Sequence, residues 1–275
     1  VAINATNFPD PIFRGYIAGS FDKDKDGILS AEEIAAVTRI DISSKNIEDL
    51  TGISCFTELT ALNCYDNKLT SIDVSKNTKL TRLDCHINQL TSLDVSSNTE
   101  LTDLICGKNL LTSLDVSKNT KLIDLYCYEN QLTSLDVSKN LELIKLNCTD
   151  NQLDSIDVSK NTKLDEFHCS RNKLTSIDIS SNSELDYLSC NANQITSIDV
   201  SNNAKLTRLD CYENQLTSID VSKNSALERL NCNGNQLTSI DVSKNTKLTS
   251  LDCNENQLTS IDVSNNAKLT RLDCY

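Results

Sequence analysis

Between residues 22 and 33 the sequence runs Asp-Lys-Asp-Lys-Asp-Gly-Ile-Leu-Ser-Ala-Glu-Glu, which sets oxygen donors at regular intervals. Asp22, Asp24 and Asp26 take the first, third and fifth places. Gly27 comes next, the Ile28 carbonyl is seventh, Ser30 ninth and Glu33 twelfth. A loop of that spacing wraps a hard cation in six or seven oxygens at about 2.4 Å, the glycine making the sharp turn and the last glutamate binding through both oxygens. The pattern is that of an EF-hand loop and predicts a structural calcium ion. A metal-free acidic turn is the alternative. A lone loop of this kind binds weakly, which suits extracellular calcium better than cytosolic.

Such a loop needs helices at its ends. Phe8, Ile12, Phe13, Tyr16, Ile17 and Phe21 recur at helical spacing after Pro9 and Pro11, and Ile34 and Val37 resume the apolar pattern beyond it. Residues 1–36 are therefore expected to form a small helical cap over the apolar end of the remaining chain.

Residues 37–275 are periodic. Eleven cysteines from Cys64 to Cys274 fall one per 21 residues. The unit around each reads L-x-x-L-x-C-x-x-N-x-L, as in Leu80, Leu83, Cys85, Asn88 and Leu90. A fixed period of that length is the mark of a repeat solenoid, and this unit is the leucine-rich-repeat core with Cys for the third leucine. The fold class expected is an α/β-type leucine-rich-repeat horseshoe with a parallel sheet on its concave face. The other half of each unit, T-S-[IL]-D-V-S-x-N, alternates like a strand and is too short for two turns plus a helix, so the convex side should be extended or 3₁₀. Complete repeats start at Leu59, and a 22-residue variant from Val37 lacks the Cys. Val1 is not an initiator and Tyr275 lies early in a repeat; both features predict a piece of a longer chain.

With 26 basic against 39 acidic residues, the net charge of −13 disfavours nucleic acid and anionic membranes as partners. No apolar run approaches the roughly 18 residues of a membrane span. Successive ladder cysteines lie about 4.8 Å apart with parallel side chains, a poor geometry for disulfides. They read as buried free thiols filling the core, a metal-thiolate string being the alternative. Cys55, outside the column, is expected to be the accessible thiol. The recurring Asn (Asn67, Asn88 and their equivalents) should bond backbone of neighbouring turns. The recurring Asp (Asp73, Asp94 and on) should make Asx-turns, with a calcium coat as the alternative. His86 and His168 stand 82 residues apart, and no nucleophile–base or paired-carboxylate constellation rises above the repeating background. An enzyme is not expected.

Function is sought where the repeats differ. Positions 3, 5, 7 and 8 of each unit vary most, and six of the seven tyrosines and both histidines fall there. Aromatics exposed on an aromatic-poor surface point to recognition, neutral drift being the bland alternative. The richest cluster is Arg82, His86, Ile105, Asp124, Tyr126, Tyr128, Lys145, His168 and Tyr187.

The unit L-x-x-L-x-C-x-x-N-x-L-T-x-[IL]-D-V-S-x-N over residues 59–275 resembles the cysteine-ladder branch of the bacterial internalins. The variant with Ile47, Leu50, Gly52 and Ile53 is similar to an ordinary internalin repeat, and Asn7-Phe8-Pro9-Asp10 with the helical segment is similar to the family's cap. That cap is a truncated EF-hand-like element, and the loop here departs from it by keeping every ligand position. The resemblance implies a monomeric, non-enzymatic adhesin on the surface of a Gram-positive bacterium, binding a protein or glycan. A passive spacer and an engineered consensus scaffold are the alternatives.

Overall fold

The computed structural model describes residues 1–275, in two compact units, Val1–Leu132 and Thr133–Tyr275. The first unit opens with helix α1 (Pro11–Ser20), which Asp10 caps by accepting the Ile12 and Phe13 amides at 2.8 and 2.9 Å while Pro11 fills the first turn. Phe13 and Ile17 are buried, but Ile12, expected beside them, is 44% exposed. Helix α2 (Ala31–Ala35) starts on a reciprocal cap between Ser30 and Glu33. Phe8 meets Phe13 edge-on, and Phe21 packs on Phe56 of the variant repeat. Gly52 makes that docking possible. Its φ is +101°, and a Cβ there would stand 2.4 Å from the Phe8 ring.

Five three-residue strands complete the first unit: β1 (Arg39–Asp41), β2 (Ala61–Asn63), β3 (Arg82–Asp84), β4 (Asp103–Ile105) and β5 (Asp124–Tyr126). They pair in parallel and in order, with Ile40, Leu62, Leu83, Leu104 and Leu125 in register. The second unit repeats the arrangement in β6 (Lys145–Asn147), β7 (Glu166–His168), β8 (Tyr187–Ser189), β9 (Arg208–Asp210), β10 (Arg229–Asn231), β11 (Ser250–Asp252) and β12 (Arg271–Asp273). Side chains alternate along a strand, so the central Leu or Phe enters the core and the flanking residues face out. Leu272 of β12 is the exception, at 38% exposed. The parallel leucine-rich-repeat fold is the one expected.

All twelve cysteines are free, and those from Cys64 to Cys253 are buried. Burial raises their thiol pKa values, to about 12 for Cys127 and Cys190. Cys55, expected to be accessible, is half-buried, more open than the ladder thiols but not exposed. It ends a 3₁₀ turn (Ile53–Cys55) between buried Ile53 and Phe56, and burial pushes it up to about 11. Cys274, just after β12, is exposed.

Two columns of asparagine tie the turns. In the expected one, the Asn172 amide donates to Cys148 O and Cys169 O, both at 3.1 Å, and its oxygen accepts Leu153 N at 2.9 Å. The second, unforeseen, is fully buried: Asn182 donates to Val158 O and Asn161 O at 3.0 and 2.8 Å, and its oxygen accepts nothing. The turn side holds no helix beyond the 3₁₀ turn. It is extended, then makes two consecutive turns, Asn77 N to Val74 O and Leu80 N to Asn77 O. Asp73 and Asp157 accept the Ser75 and Ser159 amides at 2.9 and 2.8 Å, the expected Asx-turns, and the hydroxyls and amides of those serines together hold the carboxyls below the usual range. On the same side Lys79 pairs with Glu58 (2.5 Å), Lys121 with Glu100 (2.6 Å), Lys163 with Glu142 (2.5 Å), and Lys205 with Glu184.

Candidate functional site: the acidic loop and the strand face

The acidic loop closes between α1 and α2. Gly27 takes φ +80°, as the sharp turn requires, and Ile28 bridges back to Ala2 in antiparallel fashion. Carboxylate oxygens of Asp22, Asp24 and Glu33 come within 4.8 Å of one another. That span is twice a calcium–oxygen bond of about 2.4 Å, so the three fit one hard cation. Asp26 is turned to a different task, its Oδ1 accepting the Ile28 amide at 2.7 Å. Ser30 accepts the Glu33 amide at 3.1 Å through its hydroxyl. Glu33 accepts Ser30 N at 2.9 Å and Lys23 N at 2.5 Å, and these backbone bonds lower its pKa. The carboxylate that would bind through both oxygens is thus preset and ionised by the loop itself.

On the first unit the outward residues of β2 to β5 and the residues just after them form one surface. Position 3 carries Ala61, Arg82, Asp103 and Asp124 in register, and position 5 carries Asn63, Asp84, Ile105 and Tyr126. Arg82 reaches Asp103 at 3.2 Å and Asp84 at 3.6 Å. The Asp84 carboxylate lies 2.5 Å from His86 Nδ1, fixing a ring that stacks on Tyr65 with centroids 4.7 Å apart. Tyr128 lies over Gly107, where a Cβ would come within 2.6 Å of its ring. Burial raises the Tyr128 phenol pKa. An aromatic row, Tyr65, His86 and Tyr128, therefore runs beside Ile105 and Tyr126.

Position 8, expected to join this face, does something else. Asp66, Ile87, Lys108 and Glu129 all sit at φ between 49 and 54°. The column is a left-handed turn that ends each strand segment, and Ile87 holds it against the preference of a β-branched residue. No glycine marks the position in the first unit, so composition did not reveal it.

The second unit presents Lys145, His168 and Tyr187. Lys145 pairs with Glu166 at 2.6 Å. His168 meets the Tyr187 ring edge-on at 4.5 Å, and Arg208 lies over the same ring at 4.4 Å. The Tyr187 hydroxyl donates to Asp210 at 2.7 Å, which also accepts Arg208 Nε at 2.9 Å. Burial, and then the hydrogen bond to Asp210 and its charge, push the Tyr187 phenol up to about 12; burial also keeps His168 below its usual pKa. The residues picked from the sequence thus gather into two groups, one on each unit.

A model described as Leucine Rich repeats (2 copies) matches residues 204–245 and 225–266. Internalin J of Listeria monocytogenes serotype 4b is 42% identical over 70 residues, 26% of this chain and 8% of that protein. The solved functional domain of InlJ from Listeria monocytogenes, described as including a cysteine ladder, superposes with a TM-score of 0.95 at 41% identity, over 98% of this chain and 60% of that one. The chain is an internalin-like leucine-rich-repeat protein with a cysteine ladder. An internalin (InlF) from Listeria monocytogenes shares the fold at 24% identity and a TM-score of 0.75, over 99% of this chain and 96% of that one. This internalin-like chain spans three fifths of the InlJ domain and a small part of the full-length relatives. No helix in it is long and apolar enough to cross a membrane.

Proposed function

We propose that this chain is a non-enzymatic binding module of a bacterial cell surface that engages a protein or glycan through its strand face. The observation that carries the reading is the aromatic row of the first unit. The Tyr65–His86 stack, and Tyr128 laid over Gly107, put large ring surfaces on the outward side of a sheet whose inward side is uniform. Rings already ordered by packing lose little entropy on binding, and interface energy concentrates in such anchors. Arg82, Asp124 and Ile105 supply polar and apolar neighbours. Lys145, His168 and Tyr187 form the corresponding group on the second unit. Probing glycan arrays and extracellular-protein arrays with the chain would supply ligands. Replacing Tyr126 and Tyr128 together by Ala is then expected to cost at least about 2 kcal/mol of affinity, roughly thirtyfold. Lys118 and Lys139, on the turn side, are expected to be replaceable at no cost. The reading fails if those lysines matter and the tyrosines do not.

Calcium in the cap is a second, separate reading, favoured by the convergence of Asp22, Asp24 and Glu33. Asp26, the Ile28 carbonyl and Ser30 would complete the shell on small rearrangement. Binding to the native state alone stabilises by RT ln(1 + [L]/Kd), about 2.7 kcal/mol at a hundredfold excess over Kd. Unfolding should move to higher temperature in millimolar calcium than in chelator, and Glu33→Gln should erase the difference. Identical melting in both conditions refutes a structural ion.

A further inference from the structure

Arginines recur at the first residue of the strands, and four of them have an aspartate two residues on: Arg39 with Asp41, Arg82 with Asp84, Arg208 with Asp210 and Arg271 with Asp273. Three of the four pairs form in the structure, Arg208–Asp210 at 2.8 Å and Arg271–Asp273 at 2.5 Å being the tightest and Arg82–Asp84, at 3.6 Å, the loosest. Arg229 is the departure. Asn231 stands where its aspartate would be, and the Arg229 guanidinium makes no ion pair and no hydrogen bond within the protein. Its neighbours in register are Arg208, already paired with Asp210, and Ser250, whose other neighbour is Arg271. The short serine between two arginines leaves a notch of about 170 Å³, lined among others by Arg229, Asn231, Ser250, Asp252 and Arg271.

We propose that this notch takes an aspartate or glutamate side chain of a protein ligand, held by Arg229. The protein's own strands show the geometry, because Arg208 holds the Asp210 carboxylate directly beside the position that Asn231 leaves neutral, and Arg271 repeats the pairing with Asp273 two strands on. A planar guanidinium with all its donors uncommitted matches such a carboxylate through two parallel bonds. The Ser250 hydroxyl and the Asn231 amide add donors at the wall. Asp252, whose only bond is a 3.3 Å acceptance from Asn254 N, faces the same space without an arginine of its own. It repels a bare anion and favours a carboxylate that arrives with a donor beside it, as an acidic residue does with its backbone N–H. The inference rests on the strand face being the recognition face. It concerns different residues from the tyrosine test, however, and either can fail alone.

The probe is N-acetyl-aspartyl N-methylamide, titrated into the whole chain while the arginine Nε–Hε resonances are monitored by NMR, that of Arg229 being assigned by its loss in Arg229→Gln. A saturable shift of the Arg229 resonance is expected with the aspartyl probe and none with its asparaginyl analogue. Asn231→Asp should weaken the probe at least tenfold by supplying the carboxylate internally. That variant keeps the acceptor for the Asn233 amide, which Asn231 now serves at 3.2 Å, so its melting temperature should not change. The proposal is overturned if Arg229 does not respond, if the asparaginyl analogue works as well, or if Asn231→Asp binds unchanged. Tighter binding of glucuronate than of the aspartyl probe overturns it in favour of an acidic sugar.

Discussion

Replacing Asn172 by alanine should cost more than replacing Asn182, although Asn182 is fully buried and Asn172 only half so. The difference lies in what each leaves behind. Removing the Asn182 amide breaks its bonds to Val158 O and Asn161 O. Both carbonyls keep a partner, since Asn161 N and Leu164 N bond to them at 2.9 and 3.1 Å. Each loss is then that of an ordinary hydrogen bond, about 1 kcal/mol. Some of it returns, because the Asn182 oxygen is buried without a donor and alanine removes it. With the small void, about 2 kcal/mol in all is expected. Removing Asn172 breaks the bonds its two amide N–H groups share among three carbonyls, those of Cys148, Cys169 and Ser170, and strips the Leu153 amide of its acceptor at 2.9 Å as well. Leu153 is fully buried, and a buried N–H without a partner costs a further 1–3 kcal/mol or so. Asn172→Ala should therefore destabilise by about 3–5 kcal/mol. Equilibrium urea unfolding of both variants, compared at equal m-value, reads the difference. Equal costs, or a larger one for Asn182, would refute the reasoning and show that burial alone ranks these sites.

Three other outcomes are expected. Gly52→Ala should lower cap stability by more than about 2 kcal/mol, through a positive φ and the collision with Phe8, whereas Gly15→Ala, inside α1 with nothing within 4 Å of the new Cβ, should raise it by about 0.5–1 kcal/mol; thermal unfolding distinguishes the two. Thiol titration of the native chain should label Cys274 quickly, Cys55 slowly and the buried ladder only on unfolding, and rapid labelling of several thiols between Cys64 and Cys253 would contradict the packing. For Asp10, burial raises the carboxyl pKa, but amide bonds from Glu48, Phe13, Ile12 and Asp49 outweigh it and leave the pKa below its ordinary value. A folded-state pKa below the unfolded one contributes stability that is present above about pH 4 and lost as pH falls through the folded value; Asp10→Asn should flatten that part of a melting-temperature profile.

The period of 21 and the L-x-C spacing made the strands, the buried thiols and the first asparagine column legible, because each depends on a residue type that the structure uses identically in every turn. The aspartate turns were legible for the same reason. The second asparagine column was equally invariant yet unread, since the serine, valine and aspartate around Asn182 look like turn chemistry and give no sign that its amide faces inward. The left-handed column was hidden by its variety: Asp66, Ile87, Lys108 and Glu129 share a backbone conformation and nothing else. The misplaced thiol has a simple cause. Cys55 is off the periodic column, but Ile53 and Phe56 beside it are core residues, and a neighbour of core is seldom open. The acidic loop could be read for its donors, but not for the convergence of Asp22, Asp24 and Glu33 apart from Asp26, which depends on the hydrogen bond Asp26 makes to Ile28.

The ion pairs on the turn side have a consequence for how such a chain finds itself. At the last position of successive units the sequence reads Glu58, Lys79, Glu100, Lys121, Glu142, Lys163, Glu184, Lys205, the sign changing at every step. Each pair is worth at most about 1 kcal/mol, being exposed. A chain of near-identical turns, however, has an error open to it that an irregular protein lacks: a turn can dock on the wrong copy and still bury its leucines and bond its asparagines. Skipping one unit would set lysine against lysine and glutamate against glutamate, so the alternation works as a parity check on assembly order. It stops at Ala226, after which Lys247 and Lys268 carry the same sign. The last turns are therefore the ones most open to misdocking, between copies as well as within one, and a kinetic search for swapped or trapped species during refolding should begin there.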